Sequence, residues 1–260
     1  MLDAVQALVR EVARVEIMPR FLKVAHERKA DGSLFTSADI AAQEALVARL
    51  PAISRAPVVG EEMKHEDQLE QWLAGDEGLW CVDPVDGTSN FVNGLPYFAV
   101  SVAYLRGGRS DLGVVYDPVA DEMFSAERGR GAWLNGERLP IRERSVPLRE
   151  AMAGIDVKRL PRRLACAIAD HPPFFSSRNY GASTLEWCYT AAGRFDVYLH
   201  GGQKLWDYAA GSLILGEAGG HLASLESDDF WSAPLWKRSV IAARDPDLFR
   251  AWRDWVRAQP

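Results

Sequence analysis

Apolar residues recur at helical spacing through Leu2, Val5, Leu8, Val12 and Val15, a pattern that predicts an amphipathic helix over residues 3–28. Thr36-Ser37-Ala38-Asp39 reads as a helix start. It precedes a second periodic run through Ile40, Leu46, Val47 and Leu50 that should stop at Pro51. Short apolar runs at 56–60 and 79–82 are bounded by turn residues and read as strands, with Glu61, Glu62 and Asp83 at their C-terminal ends. From Phe98 to Ile141 the rhythm is strand and turn. Apolar stretches at 98–105, 112–116 and 122–126 are separated by Arg106-Gly107-Gly108-Arg109 and Asp117-Pro118, and Asn135-Gly136 marks a hairpin, so an antiparallel sheet is expected.

Beyond a charged stretch ending near Glu150 the pattern alternates. Strands are predicted at 152–157, 195–199 and 239–243. Helices are predicted at 159–169, at 185–193 behind a Ser183-x-x-Glu186 capping box, at 206–219 ending on Gly219-Gly220, and in a Trp-rich C-terminal run. The fold class is therefore mixed, with an α+β first half (1–148) and an α/β second half (149–260). No repeat or free linker separates the two, so they should share an interface.

Composition narrows the function. The chain has 260 residues, 48% hydrophobic and 25% charged, and a formal net charge of −6, values ordinary for a globular domain with a sizeable core. That charge gives no footprint for nucleic acid, and basic clusters at 142–149 and 158–163 read as solvated faces. Charged residues interrupt the apolar pattern of the N-terminus, which resembles neither a signal peptide nor a membrane span, so a cytoplasmic location is expected. Cys81, Cys166 and Cys188 lack disulfide or zinc-ligand spacing and read as reduced core thiols.

The candidate chemistry lies in Trp80-Cys81-Val82-Asp83-Pro84-Val85-Asp86-Gly87-Thr88. Carboxylates at the end of a buried strand are costly unless paired, hydrogen-bonded or bound to metal, and a hard cation such as Mg²⁺ takes carboxylate and carbonyl oxygens. Pro84 fixes one φ and Gly87 permits a sharp turn, so both acids could be aimed inward; a short helix starting near Thr88 would add main-chain donors for an anion. The spacing fits neither an EF-hand loop nor the two-apart aspartates of haloacid-dehalogenase phosphatases. A plain type I turn built on Asp-Pro accounts equally for these residues alone. Glu61 and Glu62 could be solvated loop acids, and Asp207 a first-turn acid complementing a helix dipole.

Taken together, Gly60-Glu61-Glu62, the stretch at 80–91 (WCVDPVDGTSNF) and that at 204–220 (KLWDYAAGSLILGEAGG) resemble the inositol monophosphatase family of Mg²⁺-dependent, lithium-sensitive phosphatases. The resemblance runs from about Lys29 to Gly220. It implies a layered αβαβα sandwich of the sugar phosphatase type, with the site between the halves, and assembly as a homodimer. It also implies two or three Mg²⁺ per site. Glu61, Asp83 and the Val85 carbonyl would hold one ion, and Asp83, Asp86 and Asp207 a second. Thr88 would orient or help deprotonate the attacking water, aided by a hydrogen bond with Asp39, which alternatively closes a capping box with Thr36. Glu62 would support the water shell. Gly87 and Thr88 would bind phosphate, and Gly181, Ala182 and Ser183 the alcohol. Lys29 could approach the phosphate, although a lysine before Asp31-Gly32 is also a usual solvent-facing residue.

The resemblance thins at the substrate. His200 stands where inositol-hydrolysing relatives carry a glutamate. It could donate to hydroxyls, could favour a second anion when protonated, with Arg178 and Lys204 nearby, or could be a surface residue in the turn His200-Gly201-Gly202. The expected substrate is a small phosphorylated metabolite, with inositol phosphate and fructose 1,6-bisphosphate ranked ahead of histidinol phosphate and 3′-phosphoadenosine 5′-phosphate. Partnership with transcription machinery is the reading from a different class.

Overall fold

A computed structural model describes residues 1–23 and 34–259, together with the backbone of 26–28. Lys29 and 31–33 lie outside the described residues. The helices are α1 (Leu2–Val12), α2 (Ser37–Ile53), α3 (His65–Ala74), α4 (Thr88–Val92), α5 (Arg162–Asp170), α6 (Ser183–Ala191), α7 (Leu205–Glu217) and α8 (Pro246–Arg257). Strands β1 (His26–Arg28) and β2 (Leu34–Thr36) form a small ribbon. Strands β3 (Val58–Gly60), β4 (Leu79–Asp86), β5 (Ala99–Arg106), β6 (Arg109–Asp117), β7 (Glu122–Glu127), β8 (Gly131–Leu134) and β9 (Glu137–Arg138) make a seven-stranded sheet in sequence order. The remaining strands are β10 (Met152–Asp156), β11 (Ser176–Arg178), β12 (Val197–Gln203), β13 (His221–Ala223) and β14 (Arg238–Ala243), a five-stranded sheet ordered β11-β10-β12-β14-β13.

Period-2 alternation sorts the strand residues into three cores. From β4, Trp80 and Val82 pack with α1 and α2, whereas Leu79 and Cys81 face α6 and α7. From β14, Val240 and Ala242 face the same two helices, while Ile241 and Ala243 pack under α5 and α8. The layers are thus α, β, α, β, α. The first sheet is antiparallel except for the parallel pair β3–β4; in the second, β11, β10 and β12 run parallel.

The central helix α7 is buried around most of its circumference, as a helix between two sheets must be. It approaches β6 so closely that a Cβ on Gly113 would lie 2.8 Å from Ala210 O, and one on Gly211 2.4 Å from Trp187 Cβ of α6. These two glycines set the depth of the helix that presents Asp207.

Several sequence expectations are corrected. The first helix does not reach residue 28. Met18 N bonds to Ala13 O in a π-turn over Ala13–Ile17, and Pro19 lacks the N–H needed to continue. The inserted residue also rotates the apolar face, burying Ala13 and Ile17 and leaving Val15 exposed. Helix α2 runs past Pro51 to Ile53. Helix α5 begins at Arg162, not 159, because Pro161 holds Leu160 extended. Ser183 does not cap α6: Ala182 occupies the cap position, and Glu186 reaches back to the N–H groups of Tyr180 and Gly181. Cys166 is exposed, unlike the buried Cys81 and Cys188. Helix α3 has no predicted counterpart, because its Leu69 and Leu73 are exposed and only Gln68 is buried, leaving no apolar stripe to detect.

Placing a methyl group at the β6–α7 contact should destabilise the protein. Gly113→Ala is expected to lower the unfolding free energy by about 1–3 kcal/mol, read from urea unfolding curves; an unchanged midpoint would show that the helix can move away without cost.

Candidate active site

Asp83 and Asp86 do not sit on a type I turn. Both belong to β4, whose pairing with β5 shifts between them: Asp83 lies opposite Ser101 and Asp86 opposite Ala99. Three steps on one strand therefore match two on the other, which is a β-bulge. Residues three apart on a regular strand point to opposite faces. The extra residue at Pro84-Val85 cancels that reversal, and proline, having no N–H, costs the ladder nothing there. Gly87 follows with φ +91°, and α4 starts at Thr88.

Across the layer, α7 brings Asp207 to the same point. Carboxylate oxygens of Asp83, Asp86 and Asp207 lie within 4.8 Å of one another. Asp83 is 1% and Asp86 8% exposed. Burial, then the neighbouring acids, push the Asp83 and Asp207 carboxyls well above the usual range; burial raises Asp86 to about 6 despite hydrogen bonds from Thr184. The negative charge of Glu61 contributes to all three shifts, which places it beside the cluster.

Each acid is oriented by local donors. Val85 N donates to Asp83 Oδ1 at 3.1 Å, and Lys204 N to Asp207 Oδ2 at 2.8 Å. Asp86 Oδ2 accepts from Thr184 N at 2.7 Å and Thr184 Oγ1 at 2.6 Å, so the start of α6 is tied to the bulge. The Gly60–Glu62 loop is fixed by two glutamines: Gln68 of α3 donates to Gly60 O, and Gln43 of α2 accepts from Glu62 N.

Asp39 serves two partners at once. Its Oδ2 accepts from Thr36 N and Oγ1 in the capping box, while Oδ1 lies 3.3 Å from Thr88 Oγ1, which is also 3.1 Å from Val85 O. The two sequence readings of this residue are compatible, since each uses a different oxygen. Desolvation raises its pKa.

The 180–183 segment docks on the bulge. Asn90 Nδ2 donates to Tyr180 O and Tyr97 O, and a Cβ on Gly87 would sit 3.1 Å from Ala182 Cβ. His200 is elsewhere. It is a buried residue within β12, not a surface turn residue, and faces Asp156 with Nε2 3.6 Å from Oδ2. Burial lowers its pKa to about 4, so it is neutral at physiological pH and the anion preference expected of a protonated imidazole has no basis here. Arg178 is exposed and bonds to Ser176 and Ser177, and Lys204 is exposed at the start of α7.

Thr184, Glu186 and Asn90 were not legible as residues that hold the site. Only the hydroxyl pair Ser183-Thr184 before a helix hinted at Thr184.

A sequence-family model described as the inositol monophosphatase family matches residues 2–254. The chain is 37% identical over 225 residues to the Nus factor SuhB of Pseudomonas aeruginosa, covering 83% of this chain and 80% of that one. A Pasteurella multocida Nus factor SuhB is 45% identical, but over 148 residues, 54% of each chain. An inositol-1-monophosphatase of Mesorhizobium japonicum is 33% identical over 76% of this chain and 74% of its own. Among solved structures, a Thermotoga maritima IMPase superposes with a TM-score of 0.83 at 29% identity, covering 98% of this chain and 95% of that one.

Glu186 supplies a pH test of the scaffold. Burial raises its carboxyl to about 8 against the donors from Tyr180 and Gly181. A raised carboxyl adds stability below its unfolded value, near 4.5, and that contribution is lost as pH rises through about 8. Glu186→Gln, which stays neutral, should gain roughly 1–3 kcal/mol on the wild type between pH 5 and 9, seen in urea unfolding at fixed Mg²⁺; parallel pH curves for the two proteins would refute the assignment.

Proposed function

Because the chain belongs to the inositol monophosphatase family, we propose that it is a Mg²⁺-dependent phosphate-monoester hydrolase acting on a small phosphorylated polyol or sugar. The observation that carries this reading is the convergence of Asp83 and Asp86 from β4 and Asp207 from α7 in the adjoining layer. Oxygen-only ligands at this density suit a hard divalent cation, and the raising of the Asp83 and Asp207 carboxyls by burial and by neighbouring acids supports the same reading. Glu61, Asp83 and the Val85 carbonyl would hold one Mg²⁺, and Asp83, Asp86 and Asp207 another. Bound there, the ions would supply Lewis-acid activation of water and stabilisation of the departing alkoxide.

The chain's own residues have separate tasks in this scheme. Thr88 keeps its hydroxyl proton between Asp39 Oδ1 and Val85 O, which leaves its oxygen lone pairs available to accept from a water. Asp39 thereby fixes the rotamer of Thr88, and Glu62 supports the surrounding water. Gly87 and Thr88 offer main-chain donors to the phosphate. Gly181, Ala182 and Ser183, docked against Gly87 and Asp86, wall the place of the alcohol.

A second reading rests on the name Nus factor carried by the Pseudomonas relative, which supports an added role as a protein partner in transcription. The complete acidic set argues against a chain that has only this role.

Hydrolysis of inositol 1-phosphate, fructose 1,6-bisphosphate, histidinol phosphate, a 3′,5′-nucleoside bisphosphate and p-nitrophenyl phosphate should be measured with Mg²⁺ and with excess EDTA. Activity is expected only with Mg²⁺, and Asp86→Asn should lower kcat/KM on the order of a hundredfold or more. Equal hydrolysis in EDTA would sink the metal-dependent reading.

A further inference from the structure

Between β13 and β14 the chain packs along the first turns of α7 as an aromatic strap to which the scheme above gives no task. Phe230 is buried there against Trp187 and Tyr208, and the Tyr208 hydroxyl donates to Leu235 O at 3.1 Å. Arg238, 3% exposed at the start of β14, ties the strap from its other end. Its Nη2 donates to Ala233 O at 2.8 Å and Trp231 O at 3.3 Å, and its guanidinium lies 4.5 Å over the Tyr208 ring. The main chain is thus fixed on both sides of Trp236.

Trp236 is in ring contact with two elements at once. Its centroid lies 6.1 Å from that of Trp206, the residue before Asp207, and 5.7 Å from that of His65, the first residue of α3, which it meets edge-on. Helix α3 governs Glu61, because Gln68 Nε2 donates to both Gly60 O and Glu61 O. Yet α3 has little grip of its own: Gln68 is its one buried residue, Trp72 packs partly on the core, and Leu69 and Leu73 are exposed. The negative charges of Glu61 and Asp207 act on each other, so in the absence of an ion their repulsion tends to part α3 from α7. Tilted and edge-on ring contacts are attractive and oppose that parting. Ligands already held in place bind an ion more tightly than ligands that must first be drawn together.

We propose that Trp236 is a positioning residue of the metal centre: through His65 and Trp206 it holds α3, and with it Glu61, against α7 and Asp207, and so sets the affinity for Mg²⁺. The proposal rests on the metal-dependent reading above and adds to it a residue that touches neither ion nor substrate. The Arg238 and Tyr208 contacts hold the strap that carries it.

Calorimetric titration of Mg²⁺ into the metal-free full chain reads the effect without any substrate. Trp236→Ala should raise the dissociation constant roughly 10–100-fold, and His65→Ala, which removes an exposed ring, on the order of tenfold. His65→Phe keeps a ring but no nitrogen and should bind Mg²⁺ as the wild type does, which separates ring contact from any ligand role of the imidazole. Adding His65→Ala to Trp236→Ala should weaken binding no further, since the shared contact is already gone. An unchanged constant in His65→Ala, equal weakening in His65→Phe, or effects that multiply in the double variant would each overturn the positioning role while leaving the metal centre standing. Should Trp236→Ala fail to fold, the two His65 variants still decide. A wild type that takes up no Mg²⁺ removes the metal-dependent reading itself, and the role of Trp236 with it.

Discussion

Carboxylates that repel one another where the first sheet meets the central helix α7 are the constraint around which the rest of this molecule is arranged. Asp83, Asp86 and Asp207 are brought within 4.8 Å and largely withdrawn from water. Neither condition is favourable for charged groups, and no Lys or Arg forms an ion pair with any of them among the described residues. Backbone donors from Val85, Thr184 and Lys204 fix their orientation and offset part of the cost. What remains uncompensated is negative charge of the sort that a divalent cation neutralises.

Three features of the fold exist in the service of that convergence. The bulge at Pro84-Val85 turns two acids at odd spacing to one side. Gly113 and Gly211 let α7 sink between the sheets far enough to deliver Asp207. The Asp86–Thr184 pair locks the start of α6 to the same bulge, so the loop ahead of it, held by Glu186, cannot drift from the acids. Stability and function are coupled through these contacts: each holds layers together and also sets a distance within the site.

Much of this was legible in the sequence. The acids, the hairpin at Asn135-Gly136, the capping box at Thr36 and the long buried helix after Lys204 carry local signals of spacing and residue type. What escaped depends on partners far along the chain. The predicted end of the strand at Val82 reflects a break in the apolar run, and only pairing with β5 reveals that the strand continues to Asp86. The burial of His200, which keeps its imidazole neutral, follows from its place in β12 between β10 and β14 and not from its sequence neighbourhood. Helix α3 was invisible because its buried face is a single glutamine that holds the Gly60 and Glu61 carbonyls. The resemblance of the motifs to the family supplied the layered architecture, which periodicity alone gave only as two mixed halves.

The central claim is that the acidic cluster is built to be occupied by divalent cations. Calorimetric titration of Mg²⁺ into metal-free protein at pH 6, in two buffers of different ionisation enthalpy, addresses it without reference to any substrate. The account predicts at least two ions per chain, net proton release on binding, since burial holds Asp86 near 6 and raises the Asp83 and Asp207 carboxyls, and loss of that uptake in Asp83→Asn. Titration showing no Mg²⁺ uptake, or uptake unaffected by Asp83→Asn, would contradict it.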